Sequence, residues 1–316
     1  MDNVKKWSLK EDTYTLHKPI IRKHKRNRIV TTFIDELWQS DLADLSSMAK
    51  HNDGFKYLLN TIDCFSKKAW SIPLKSKSGE DVKTALEKLF EKRKPMKFET
   101  DKGKEYLNAP VQALLKSKDI YFFTANNPDI KASIIERWNR TLKTRMWKYF
   151  THKQTWRYID VLQQLVDSYN DRIHSSIGVA PNQVTISNSI DVYMKMFGKQ
   201  KKPKPKHKFQ IGDKVRISVA KLKFDKGYYQ NWSMEIFKVS ARLKREPPVY
   251  KLVDLNDSEI DSIFYEKEIQ LVAADADTEH QVEKVLRRKG NNVFVKWLGY
   301  PASFNSWIPK KNVVPL

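Results

Sequence analysis

The run KQKKPKPKHK, residues 199–208, holds six lysines, two prolines and no side chain suited to a core. Lysines at this density repel one another, and each proline removes a backbone donor and fixes φ, so the run reads as an extended, charged linker. A chain of 316 residues is long enough for two or three domains. The run therefore forbids one continuous core. It divides the chain into a basic arm (1–32), a main domain (33–185), a basic linker (186–207), a small all-β domain (208–272) and a terminal β module (273–316).

Within 33–185 the hydrophobic pattern alternates between periods. "WQSDLADL" reads as a strand, and residues 55–65 and 67–75 read as a strand pair around a short turn. Residues 79–93 are helical with early acids, 96–101 form a short strand, 104–118 are largely helical around a break at Pro110, and 120–124 form an apolar strand. Two helices follow, the first from Lys131 to Lys148 and the second at about 152–171. Three strands followed by alternating helices and strands imply a mixed sheet with helices on its faces. Beyond the linker, "FQIGDKVRISV" opens a set of short strands, and "VEKVLRRKGNNVFVKWLGY" is a hairpin about a Gly-Asn-Asn turn.

Lys and Arg number 59 against 37 Asp and Glu, a net charge of +22. Such an excess points to a polyanionic partner, nucleic acid first. The sequence has no run of 18 apolar residues, no signal-peptide pattern and no lipidation motif, which argues against a membrane. The arm's run "RKHKRNR" (22–28) reads as a DNA-contacting arm, a nuclear-import signal or a solvated tail. With Cys64 the only cysteine, no intramolecular disulfide and no Cys₂His₂ zinc site can form.

Three carboxylates stand out by position. Asp41 lies inside the first strand, Asp101 ends a short strand before a Lys-Gly turn, and Glu136 is the lone acid in the basic helix 131–148. On that helix alone, Glu136 also suits a plain partner for the helix dipole or for Arg140. Strand ends and a neighbouring helix start can converge at one sheet edge. Three carboxylates gathered there repel unless a cation neutralises them, and oxygen-only ligands suit Mg²⁺ or Mn²⁺. Two such ions would serve phosphoryl transfer on a nucleic-acid phosphodiester. Asp44, three residues on from Asp41, points to the other strand face, and Asp63 reads as structural.

"WQSDLADL", "TDKGKEY" and "SIIERWNRTLK" resemble the three signature segments of retroviral-type integrases, the DDE polynucleotidyl transferases. The resemblance implies an α/β ribonuclease-H-like core, a mixed five-stranded sheet with helices, in which Asp41, Asp101 and Glu136 are catalytic metal ligands for two Mg²⁺ or Mn²⁺ ions. Asp101 and Glu136 have 34 residues between them, one fewer than is usual in that family. Asn139, Arg140 and Lys143, at i+3, i+4 and i+7 from Glu136, share its helix face and are expected to contact DNA. Residues 208–272 resemble the SH3-like barrel of integrases, and 273–316 resemble a chromodomain. Trp297 and Tyr300 match two positions of a methyl-lysine cage, with His280 at the third and Trp307 at a core position. This order is most similar to integrases of Maverick/Polinton-type elements and virophages.

The reading that follows is a DNA integrase that processes 3′ ends and joins element ends to target DNA. Its partners would be double-stranded DNA and histone tails, its state a homodimer or homotetramer, and its location the nucleus or a virion. The rivals are a ribonuclease-H-like nuclease that only hydrolyses and a domesticated, non-catalytic DNA- or chromatin-binding protein.

Overall fold

A computed structural model describes residues 4, 7–21, 24–124, 133–198, 206–219, 229–273 and 281–313. The chain divides into two compact units, one formed by Arg28–Lys202 and the other by Met1–Asn27 together with Pro203–Leu316.

The first unit is built on β1 (Leu37–Asp44), β2 (Tyr57–Asp63), β3 (Ala69–Leu74), β4 (Lys97–Thr100) and β5 (Tyr121–Thr124). Their order is β3-β2-β1-β4-β5. β1, β2 and β3 pair antiparallel, while β4 runs parallel to β1 and β5 parallel to β4. This is the mixed five-stranded sheet that the strand pattern implied. Period-two alternation along β1 sends Trp38 to one face and Ala43 to the other. On the first face, Trp38, Leu59 and Phe98 pack with the apolar stripes of α2 (Gly79–Lys92) and α3 (Ala109–Ser117). On the second, Leu58 and Ile62 pack against α4 (Ser133–Lys153) and α5 (Leu162–Asn170).

Local chemistry sets the ends of these helices. The Ser78 side chain accepts from Asp81 N and caps α2, and the Asn108 side chain accepts from Val111 N and caps α3. The second cap places Pro110 in the first turn, so residues 104–108 precede the helix rather than belonging to it. α4 runs to Lys153 and stops where Gln154 turns to φ +50°. α5 therefore starts at Leu162, later than the apolar pattern suggested.

Two segments differ from their sequence reading. Residues 186–207 read as a linker, yet α6 (Ser189–Phe197) lies within them. Val192 of α6 is buried with Phe65 and Ile177, and Tyr193 and Met196 pack beside it. This apolar stripe outweighed the surrounding lysines. Of the lysine-rich run itself, 199–205 lies outside the described residues.

The basic arm is the other difference. Asp12–His17 forms a helix, α1, in which Thr15 and Leu16 are buried. Arg216, only 1 % exposed, donates to Asp12 Oδ1, Thr15 Oγ1 and the carbonyls of Ser233 and Met234. A buried guanidinium is stable only when its donors are matched, and α1 supplies the carboxylate. Ala273 N donates to Leu9 O, and the Trp232 indole donates to Lys18 O. Further along, Arg26 stands 3.0 Å from the buried Glu268 carboxylate, and Asn27 N donates to the Tyr265 hydroxyl. The segment is tied down because buried polar groups of the second unit require its partners.

That unit contains an open five-stranded sheet in the order β10-β6-β7-β8-β9. The strands are β6 (Lys214–Ile217), β7 (Phe237–Leu243), β8 (Val249–Val253), β9 (Phe264–Tyr265) and β10 (Ile269–Leu271). Its core is Phe209, Val215, Val239, Tyr250 and Leu252. The barrel reading of 208–272 required closure, but β9 and β10, of two and three residues, are the two edges. A separate three-stranded sheet follows, β11 (Val282–Lys289), β12 (Asn292–Trp297) and β13 (Ser306–Pro309). Its first hairpin pairs Lys289 with Asn292 across a turn in which Gly290 takes φ +54°.

Candidate active site

Asp41 lies on β1 with its Cα opposite that of Asn60 on β2. The β1–β4 register pairs Trp38 with Phe98 and Gln39 with Glu99. Continued two residues further, it brings Asp101, just past β4, level with Asp41. The two carboxylates interact: burial first, then the charge of Asp101, raises the Asp41 pKa above its ordinary value. Opposing this, Leu42 N donates to Asp41 Oδ1 at 2.9 Å, the Asn139 side chain donates to Oδ2 at 2.5 Å, and Lys143 contributes its charge. Asp101 is exposed and accepts from Gly103 N.

Glu136 is half-buried in the first turn of α4, where the helix dipole favours a carboxylate. It stands one turn before Asn139 on the same helix face. Among the described residues, however, no three Asp, Glu, His or Cys side chains are gathered closely enough to hold a metal ion. The structure brings Asp41 and Asp101 together and leaves Glu136 outside the pair. The residues nevertheless fit a hard divalent cation. Both aspartates offer only oxygen, burial and then the Asp101 charge hold Asp41 toward its neutral form, and a cation between them would oppose both.

Several residues that frame the pair were not singled out in the sequence. The Gln39 side chain, fully buried, donates to Glu99 Oε2 at 2.8 Å. Its Oε1 accepts from Ile134 N and Ile135 N, two of the unpaired amides at the start of α4. Gln39 therefore ties the first turn of the Glu136 helix to β1, two residues from Asp41. Asn60, also buried, donates to Asn139 Oδ1 at 2.7 Å and accepts from the Ser71 hydroxyl. A relay of side chains thus runs from β3 through β2 and α4 to Asp41. Tyr106, buried, shares a hydrogen bond with Ser40, and the charges of Asp41 and Asp101 contribute to its raised pKa, after burial. The available signal was a polar residue inside an apolar strand, as with Asn60 in "YLLNTID".

Of the residues expected at DNA, Asn139 is engaged inside the site with Asp41 and Asn60. Arg140 and Lys143 are exposed. They line a groove of about 970 Å³ along α4 that continues past Trp147 to His152. Asp63 is buried and structural, accepting from Phe65 N and from Ser66. Asp44 is exposed and accepts from Ser46.

Of the three residues expected to form an aromatic cage, His280 lies outside the described residues. Tyr300 is 8 % exposed and packs against Phe304, and a side chain at Gly299 would meet Met234. The Trp297 indole donates to Ser306 Oγ. Trp307, read as a core position, is instead 47 % exposed and stacks on Phe294.

Residues 34–126 match the integrase core domain family. One chain of the simian T-cell lymphotropic virus intasome superposes with a TM-score of 0.61 at 15 % identity, covering 86 % of this chain and 91 % of that one. The core shares the fold of that integrase. A transposon-derived protein of Caenorhabditis elegans is 40 % identical over 199 residues, which is 61 % of this chain and 65 % of that protein, just under two thirds of its length. The catalytic core domain of HTLV-2 integrase, solved in complex with magnesium, is 19 % identical over 48 % of this chain and 95 % of that one, with a TM-score of 0.39. At 15 % identity the intasome chain speaks for the fold of this chain alone.

Proposed function

We propose that the chain is a DNA integrase that joins the 3′ ends of mobile-element DNA to target DNA by metal-dependent phosphoryl transfer. The observation that carries the reading is the coupled Asp41–Asp101 pair at the centre of an integrase-type sheet, faced by α4. Asp41, Asp101 and Glu136 would hold Mg²⁺ or Mn²⁺, two ions in the full site. When bound, the metal would supply charge stabilisation and activate the attacking oxygen. Glu136 would join by a shift of the first turn of α4, which Gln39 holds to the sheet.

The chain's own residues would do the rest. Asn139 and the Leu42 amide orient the Asp41 carboxylate, so that its oxygens are fixed before substrate arrives. Arg140 and Lys143, exposed on the same helix, would hold backbone phosphates of the entering strand and align its 3′-hydroxyl with the target phosphodiester. No covalent enzyme intermediate is required, so no Ser or Tyr nucleophile is assigned. Joining two ends requires two active sites, and we assign a dimer or tetramer acting in the nucleus or a virion. The β6–β10 sheet is proposed as the SH3-like DNA-binding unit and the β11–β13 sheet as the chromodomain-like module.

The experiment is strand joining. A duplex carrying a pre-cut 3′ end is incubated with plasmid and Mg²⁺, and the products are sized. Joined product supports the integrase, whereas shortened strands without joined product would establish a nuclease. Neither product would leave a non-catalytic DNA-binding protein.

A further inference from the structure

On the α4 face of the core, a recess of about 560 Å³ has a lining that includes neither Asp41 nor Asp101. Arg28, Lys67, Arg137, His174 and Lys195, five side chains able to carry positive charge, open onto it. No aspartate or glutamate is among its described lining residues. None of Arg28, Arg137 and Lys195 has an ion pair among the described residues.

Lys67 sits on the β2–β3 turn with φ +61°, an uncommon conformation for a residue other than glycine, and its ammonium donates to Cys64 O. The nearby acid, Asp63, already accepts from Phe65 N, Ser66 N and Ser66 Oγ and stands 3.5 Å from Arg93. Burial, then the charges of Lys67 and Arg137, hold His174 below the ordinary imidazole value. Burial also lowers Lys67, with Arg137 adding to the effect. The cations are thus close enough to disfavour one another, and the Asp63 charge relieves Lys67 only in part.

A second observation is independent of charge. Trp138, 1 % exposed, lines the recess, and its buried indole N–H has no acceptor among the described residues. A buried donor left without an acceptor is costly and rare.

We propose that this recess binds a compact, phosphate-bearing anion. Guanidinium forks and ammonium groups match phosphate oxygens, and the hydroxyls of Ser175 and Ser176 on the same lining add donors. Several cations with no acid call for more than one negative charge. The recess is concave and Lys67 is largely withdrawn from solvent, so the phosphate must enter it. A free polyphosphate or a phosphate of a DNA strand could provide it.

The test titrates the full chain with tripolyphosphate by calorimetry at fixed ionic strength. Arg137 and Lys195 are exposed, so Arg137→Gln/Lys195→Gln leaves the fold intact, which an unchanged melting temperature checks. The parent should bind one anion per chain, and the double variant should weaken binding by about tenfold or more. Lys67→Asn, whose new side chain accepts positive φ, should give a similar loss. Lys88→Gln/Lys92→Gln, which removes two exposed charges from α2, should change binding by less than about twofold. Repeating the titration with duplex DNA present separates the sources: displacement of the anion assigns the site to a DNA-strand phosphate, and undiminished binding assigns it to a free polyphosphate. An absence of saturable binding to the parent, or an equal loss in the α2 control, overturns the proposal.

Discussion

Replacing Gln39 with leucine tests whether the site is built on a clamp between β1 and α4. Leucine has nearly the volume of glutamine, so packing is kept and only the hydrogen bonds are lost. Ile134 N and Ile135 N lose their acceptor at 3.2 and 3.1 Å, and the buried Glu99 carboxylate loses its donor at 2.8 Å. A buried polar group left unsatisfied costs about 1–3 kcal/mol, so three of them, partly relieved by fraying of the helix end, come to about 3–5 kcal/mol. For a unit of this size that lowers the melting temperature by about 8–15 °C. Gln39 also lowers the Glu99 pKa against the larger, raising effect of burial. In Gln39→Leu the folded Glu99 pKa rises further, so the deficit relative to the parent deepens as pH rises from the parent's folded Glu99 pKa through the variant's higher one. Calorimetric melting at pH 5 and pH 8 measures both effects. A Gln39→Leu chain that melts within about 1 °C of the parent at both pH values would refute the clamp, because ~1 kcal/mol alone shifts a unit of this size by more.

The Asp41 pKa is raised by burial and by Asp101, so Asp41 favours the fold below the unfolded pKa and loses that contribution as pH rises through its folded pKa. Asp41→Asn should therefore raise the metal-free melting temperature at pH 8, with the gain vanishing below about pH 4; a gain that grows on acidification contradicts the assignment. Asp12→Ala strips the buried Arg216 of its carboxylate and should cost about 3–5 kcal/mol, seen as a lower melting transition of the unit that contains residues 206–273. An unchanged transition would return residues 7–18 to the status of a free arm. Arg140→Gln and Lys143→Gln should each reduce the slope of log K against log salt for duplex DNA by up to about 1, and an unaltered slope would mean that these side chains meet no phosphate.

The sheet and helices of the core were legible because their signals are local: alternation in "WQSDLADL", the Ser78 cap and the apolar stripe of α4. Asp41 and Asp101 stood out in the sequence because a carboxylate within or ending an apolar strand has few structural reasons to be there. Gln39, Asn60 and Tyr106 were not, since their roles depend on strand register and on which helix face lies above them. The arm was misread for a related reason. Its composition is that of a solvated tail, and only the buried Arg216 and Glu268, some two hundred residues away in sequence, make Asp12 and Arg26 structural partners. α6 was hidden by the lysines around it, and Tyr300 by a motif that describes residue type and not burial.

The central claim is that Glu136 completes the Asp41–Asp101 pair when metal and DNA are present. Strand transfer by Glu136→Gln, measured beside the parent in Mg²⁺ with a pre-cut DNA end, tests it most directly. The variant should fold with an unchanged melting temperature and join no ends above background. Joining at a rate within about tenfold of the parent, a barrier change of only ~1.4 kcal/mol, would remove Glu136 from the site and contradict the account.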